Sequence, residues 1–97
     1  MDEKQAAAGF AAMGADHRLG VLQHLVKAGD AGLLVHEIVA LSGIAASTMA
    51  HHLKTLRSAG LITQEKRGRA TVNIANYAHL EGLAAYILAE CCVAQNG

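Results

Sequence analysis

The chain has 97 residues, a formal net charge of zero and an apolar fraction of 53%, much of it alanine. That length makes one domain, residues 1–97, with a limited core. It holds no uninterrupted apolar run long enough to span a bilayer, and the acidic start MDEKQ is not followed by the apolar core of a signal peptide. A cytoplasmic protein with no membrane partner is expected, and spare apolar stripes at both ends point to a dimer.

Glu3 to Met13 reads as an alanine-rich helix with Phe10 and Met13 as its large apolar groups. Gly14-Ala15-Asp16 breaks it, and Asp16 can cap the next helix by accepting from exposed backbone N–H groups. That helix, His17 to Ala28, places Leu19, Leu22, Leu25 and Val26 inward. Gly29 to Gly32 is a loop, and Leu33-Leu34-Val35 is a short extended piece. A short helix follows, with Ile38, Val39 and Leu41 on its apolar face. It ends at Ser42-Gly43, because glycine tolerates the left-handed backbone of a helix exit.

A second helix covers roughly Ala46 to Ala59. Its apolar positions Met49, Leu53 and Leu56 follow i, i+4, i+7 spacing, and Gly60 stops it. Ser47, Thr48, His51, Lys54, Thr55 and Ser58 remain on the opposite side. Two helices around a tight turn, the second with a face of small donors and acceptors, describe a helix-turn-helix.

Leu61 to Lys66 alternates loosely and reads as a strand. Arg67-Gly68-Arg69 is a tight hairpin tip, and Ala70 to Ala75 returns. A hairpin directly after a recognition helix is a wing, and its two arginines suit phosphate contact or a minor groove. Asn76 can cap a last helix from Tyr77 to about Ala94. Leu80, Leu83, Ala84, Ile87, Leu88 and Cys91 form one regular stripe along it. The first and last helices are expected to build a two-fold interface; the alternative is a last helix folded back on its own core. The fold class is thus mainly α with a small β-hairpin, a winged helix-turn-helix that dimerises through its first and last helices.

Zero net charge does not by itself suggest a nucleic-acid binder, but the distribution does. Five of the eight Lys and Arg fall in one window, Lys54, Arg57, Lys66, Arg67 and Arg69, with Glu65 the only acid of eight there. A local cationic patch suffices for phosphate contact, because fields are screened beyond about 10 Å. A solvated surface hairpin is the bland alternative. The expected contacts to double-stranded DNA are Ser47, Thr48 and His51 at base edges and Lys54, Arg57, Arg67 and Arg69 at phosphates.

From about residue 10 to 92 the sequence resembles the ArsR/SmtB family of bacterial metal- and metalloid-responsive repressors. The resemblance rests on ADHRLGVLQHL and on SGIAASTMAHHLKTLRSAGLI, with HLKTLRSAGLI its most specific part. Three positions depart from the family pattern. Asp16 stands where a proline is usual, Ala45 where a serine cap is usual, and His51 where a cation is common. The last two imply a less firmly started recognition helix and weaker or pH-dependent DNA contact. The resemblance implies a homodimeric repressor bound to an operator duplex.

Cys91 and Cys92 are the only cysteines. Reduced cysteines in the cytosol are more often ligands or redox groups than structural bridges. Neighbours on a helix point about 100° apart, yet both thiols can reach one large soft ion near a fraying end, and soft thiolates select soft acceptors. LEGLAAYILAECC resembles the end of the last helix in arsenic-responsive members with a Cys-Cys pair there. This implies trivalent arsenic or antimony as inducer. Those members carry a third cysteine a few residues later, and none follows here before Gly97. That leaves either a shortened chain or a two-thiol site suited to a methylated or otherwise capped arsenical.

Other readings stay open. The pair can sense oxidants or sulfane sulfur, or Cys91 can simply pack in the apolar stripe. The chain can also be a DNA-binding regulator without a sensing site, or a dimeric interaction module that no longer binds DNA. The family's zinc site between last helices is not expected. Asn76, Ala78 and Ala89 occupy its ligand positions, and His79 is one place off. His17, His24 and His36 show no ligand spacing and suit surface or capping roles. His52 is expected to pack beside Met49 and Leu56 with one nitrogen hydrogen-bonded. No catalytic triad or glycine-rich phosphate loop is present, so an enzyme is not expected.

Overall fold

In the computed structural model, which describes residues 1–96, the chain is mainly helical with one antiparallel hairpin. The elements are α1 (Glu3–Met13), α2 (Asp16–Ala28), a 3-10 turn (Gly29–Ala31), α3 (Val35–Ser42), α4 (Ala46–Ser58), β1 (Ile62–Arg67), β2 (Ala70–Ala75), α5 (Tyr77–Leu88) and α6 (Val93–Asn96). Gly97 lies outside the described residues. Helices α3 and α4 form the helix-turn-helix, and the hairpin behind them is the wing.

Helix α1 starts where the Asp2 carboxylate accepts from the Gln5 N–H at 2.7 Å. It buries Ala6, Gly9 and Ala12 and leaves its large apolar residue Phe10 exposed. A Cβ on Gly9 would fall 2.9 Å from Leu83 Cδ1. The approach of α1 to α5 is therefore close, and small residues fill the contact.

Asp16 does not cap α2. It is the helix's first residue, with Ala15 before it and no side-chain cap bond. An acid in a first turn still meets the positive end of the helix dipole. The helix buries Val21, Leu22 and Leu25, whereas Leu19 and Val26 are exposed. Leu22 and Leu25 face inward as expected, but Val21 takes the place of Leu19 and Val26, so the inward face is rotated by about 60° at 100° per residue. Arg18 ties α2 to the end of α1 by donating from Nε to the Ala12 carbonyl at 2.6 Å.

Ile38 is the buried residue of α3, while Leu41 points outward at 57% exposure. Gly43 makes the turn with φ of 74°, and the Ser42 hydroxyl accepts from the Ile44 N–H at 3.2 Å. Helix α4 begins behind Ala45 without a side-chain cap, as the missing serine implied. Met49, Leu53 and Leu56 are buried and meet Val21, Leu22, Leu25, Ile38, Leu61, Ile62 and Ala75 in one core.

The wing pairs Ile62 with Ala75 through to Arg67 with Ala70. Leu33 adds a short bridge to Asn73 by backbone bonds of 2.8 and 2.9 Å. Gly32 is obligatory there. Its φ is +65°, and a Cβ would stand 2.5 Å from the Asn73 carbonyl oxygen.

The last helix is anchored at its start and bare at its end. Asn76 accepts from the His79 N–H and donates to the Gly60 carbonyl, at 3.2 and 3.0 Å. The Tyr77 hydroxyl donates to the Val26 carbonyl at 2.9 Å. Leu83 is buried. From Ala84 to Gln95 every residue is exposed. The helix stops at Leu88, short of the expected Ala94, and four residues in turns separate it from α6. A long axis of 55 Å and a radius of gyration of 15.0 Å, against about 12.5 Å for a compact domain of this length, reflect this projecting end.

Candidate nucleic-acid interface and thiol pair

Burial of Met49, Leu53 and Leu56 forces the other side of α4 outward. Ser47, Thr48, His51, Lys54 and Arg57 are all exposed, so the structure brings the expected helix contacts together on one face. Thr55 turns its hydroxyl back to the His51 carbonyl of its own helix at 3.1 Å.

The arginines divide. Arg57 donates to Gln64 Oε1 at 2.9 Å, Gln64 donates to Asn73 Oδ1 at 2.9 Å, and Asn73 donates to the Leu33 carbonyl at 3.2 Å. This relay ties the recognition helix through the wing to the fully buried Asn73. Arg67 is the last paired residue of β1, not part of the tip, because a two-residue loop with Gly68 at φ 64° makes the turn. Its guanidinium donates to the Asp30 and Ala31 carbonyls, both at 3.0 Å, and meets Glu65 at 3.3 Å. Arg67 thus fastens the wing to the turn after α2. Arg69 is exposed at the tip, and Lys66 is exposed beside it.

Sequence reasoning passed over Gln64 and Asn73. A polar residue in an alternating strand carries no mark of burial, and the Leu33 carbonyl it serves lies 40 positions away.

His52 is buried beneath this face with neither ring nitrogen hydrogen-bonded, where one bond was expected. Burial pushes its pKa below the usual 6.5, and the positive fields of Arg18, His17 and His51 push the same way. The ring centroids of His17 and His52 are 6.1 Å apart. His79 Nε2 is also buried and unpaired, packed against Gly60.

Cys91 and Cys92 lie in the turn between α5 and α6 and are exposed. Because α5 ends at Leu88, Cys91 leaves the apolar stripe and packs against no core. Cys92 has φ of 66°, a left-handed conformation. This departure from helical geometry brings the two Sγ atoms to 3.2 Å. The hydrogen bond with Cys91 raises the Cys92 pKa above the ordinary thiol value, and desolvation adds to it. Among the described residues no three or more His, Cys, Asp or Glu side chains gather in a way that could hold a metal ion. No helix among them is long and apolar enough to cross a membrane.

A recognition helix exposing small polar groups, backed by a core and flanked by a basic wing, defines a winged-helix DNA-binding regulator. Residues 13–65 match the helix-turn-helix domain family. The chain belongs to that family and has the winged-helix form of ArsR-type transcriptional regulators. An ArsR-like transcriptional regulator from Rhodococcus sp. RHA1 is similar at 25% identity and a TM-score of 0.81, over 96% of this chain and 84% of that one. A homodimeric winged helix-turn-helix DNA-binding domain from Mycobacterium bovis shares the fold at 24% identity and a TM-score of 0.70, over 91% and 82% of the two chains. A possible transcriptional regulator for arsenical resistance is similar at 25% identity and a TM-score of 0.68, over 81% and 79%. No curated protein sequence matches.

Proposed function

We propose that the chain is a homodimeric transcriptional repressor that leaves its operator when a thiophilic metalloid, trivalent arsenic or antimony, joins Cys91 and Cys92. The observation that carries the DNA half is the exposed stripe of Ser47, Thr48, His51 and Lys54 on one face of α4. Two such helices, one per subunit, would enter successive major grooves about one turn apart. Lys54 and Arg69 hold phosphates directly. Arg57 does so from a guanidinium already braced by Gln64. Arg67 serves the interface by holding the wing in place, a reassignment from its expected phosphate contact.

The interface between subunits is read from α5 and α1. Ile87 and Leu88 are 67% and 63% exposed, with Tyr86, Val93 and Phe10 also open to solvent. A second copy would cover them.

The sensing half is supported by the two sulfurs at 3.2 Å on an exposed turn. Two thiolates can close on one soft acceptor there. With no third side-chain ligand gathered beside them among the described residues, an arsenical that brings its own carbon or oxygen substituent fits the donor set. Release requires the inducer to bind the DNA-incompetent dimer more tightly than the competent one. A coupling of about 1–3 kcal/mol is ordinary for such a switch. The path is short. The thiol turn ends a helix whose first residues are bonded to Gly60, at the exit of α4, and to Val26 in α2. A change of helix direction at the dimer interface therefore alters the spacing of the two recognition helices.

The test is the double variant Cys91→Ser, Cys92→Ser. It keeps wild-type affinity for a duplex from the region upstream of its own gene, and arsenite no longer dissociates the complex. Continued release by arsenite would place the inducer elsewhere. The same sulfur proximity favours a second reading, in which an oxidant removes two protons and two electrons and joins Cys91 to Cys92 as a disulfide. A loss of two hydrogens in protein mass after peroxide, with release from DNA and no response to arsenite, would select it.

A further inference from the structure

A shallow groove of about 540 Å³ runs between α1 and α4. Its floor is made of alanine methyls, and its polar rim is Arg18, His51, Lys54, Thr55 and Ser58. Among the described residues no carboxylate lines it. His51 and Lys54 belong at once to this groove and to the polar stripe of the recognition helix, so the two surfaces are continuous.

Arg18 stands on the far bank. Its Nε is tied to the Ala12 carbonyl, and its two terminal nitrogens have no partner among the described residues. The bond to Ala12 removes much of the rotational freedom of a long side chain. A guanidinium held this way loses less entropy on meeting an anion than a free one does. Burial lowers the pKa of the nearby His52, and the positive fields of Arg18, His17 and His51 lower it further.

We infer that Arg18 is a further DNA contact, which binds a backbone phosphate across the groove from Lys54 and carries the protein–DNA interface beyond the helix-turn-helix and wing onto α2. The inference rests on the DNA-binding reading above. A duplex backbone suits this groove because the groove is open along its length, shares its cations with the recognition face and offers small methyl groups over which sugar and phosphate can lie closely. Phe10 is about 200° around α1 from Ala8 at 100° per residue. The side proposed to meet a second subunit is therefore turned away from the groove, and both can be occupied together.

Arg18 also braces the end of α1, so affinity alone does not separate a contact from a structural role. The slope of log K against log salt does, because it counts phosphates neutralised. Wild type, Arg18→Gln and Arg18→Lys are titrated against one mixed-sequence duplex by fluorescence anisotropy across a salt series, and thermal midpoints are measured alongside. Arg18→Gln is expected to make the slope shallower by about 2, one phosphate lost from each of two subunits. Arg18→Lys, which keeps the charge, restores most of it. An Arg18→Gln slope equal to wild type, with or without a lower melting point, overturns the inference and leaves Arg18 as a brace only. Wild-type binding without salt dependence would instead overturn the DNA reading itself, and this inference with it.

Discussion

Helices α4 and α5 carry apolar stripes of similar regularity, yet one is buried within the chain and the other mostly is not. Met49, Leu53 and Leu56 of α4 meet α2, α3 and the base of the wing, and none is more than 2% exposed. In α5 only Leu83 is buried, while Ile87 and Leu88 stand in solvent. A stripe states that a face needs cover; it does not state whether the cover is the same chain or another copy. The α4 stripe finds its partners within the fold, which fixes its polar side outward. The α5 stripe outruns its own domain, which leaves a surface for a second subunit next to the thiols.

Substitutions in the two stripes should therefore behave differently. Leu56→Ala removes a fully buried side chain from the shared core and is expected to cost about 2–5 kcal/mol, read by urea unfolding at any protein concentration. Ile87→Asp with Leu88→Asp should leave the fold of each chain intact. It should shift the mass in sedimentation equilibrium from dimer to monomer and weaken DNA binding. If instead this double variant unfolds while the mass of wild type is that of a monomer, the last helix is covered by its own chain and the contrast fails.

Asn73→Ala probes the brace between wing and recognition helix. It leaves Gln64 without its acceptor and removes a buried amide, at a cost of about 1–3 kcal/mol. It should also loosen Arg57, seen as weaker DNA affinity at a temperature where the variant is fully folded.

The smallest effect is the pH dependence of the core beneath α4. His52 has a folded pKa below its usual 6.5, so the unfolded chain binds the proton more readily. Stability is then full above the unfolded pKa, falls as pH drops below about 6.5, and levels off under the folded pKa. His52→Leu removes two unpaired buried nitrogens and should flatten this acid-side loss in thermal melts. An unchanged profile would assign the loss to another group.

Much of this contrast was legible in the sequence, and the misses have physical causes. The helix-turn-helix and wing were readable because their signals are local: Gly43 and Gly60 at helix exits, spaced apolar residues between them, and Gly68 at the turn. Helix α2 offers two overlapping apolar faces, one through Val21 and one through Leu19 and Val26. Hydrophobicity could not choose between them; the core built with α3, α4 and the wing takes the face through Val21. Arg67 looked free because the carbonyls that capture it lie 36 and 37 residues earlier in the chain. The early end of α5 was hidden by helix-compatible residues on either side of Leu88, so the thiols came to lie in a turn and not on the stripe.

Native mass spectrometry of the protein with a duplex from its own upstream region tests the central claim most directly. The account predicts a complex of one duplex with two chains of 10.1 kDa each, present at low salt and dissociated as salt rises. One chain per duplex, or no complex at low salt, would contradict it.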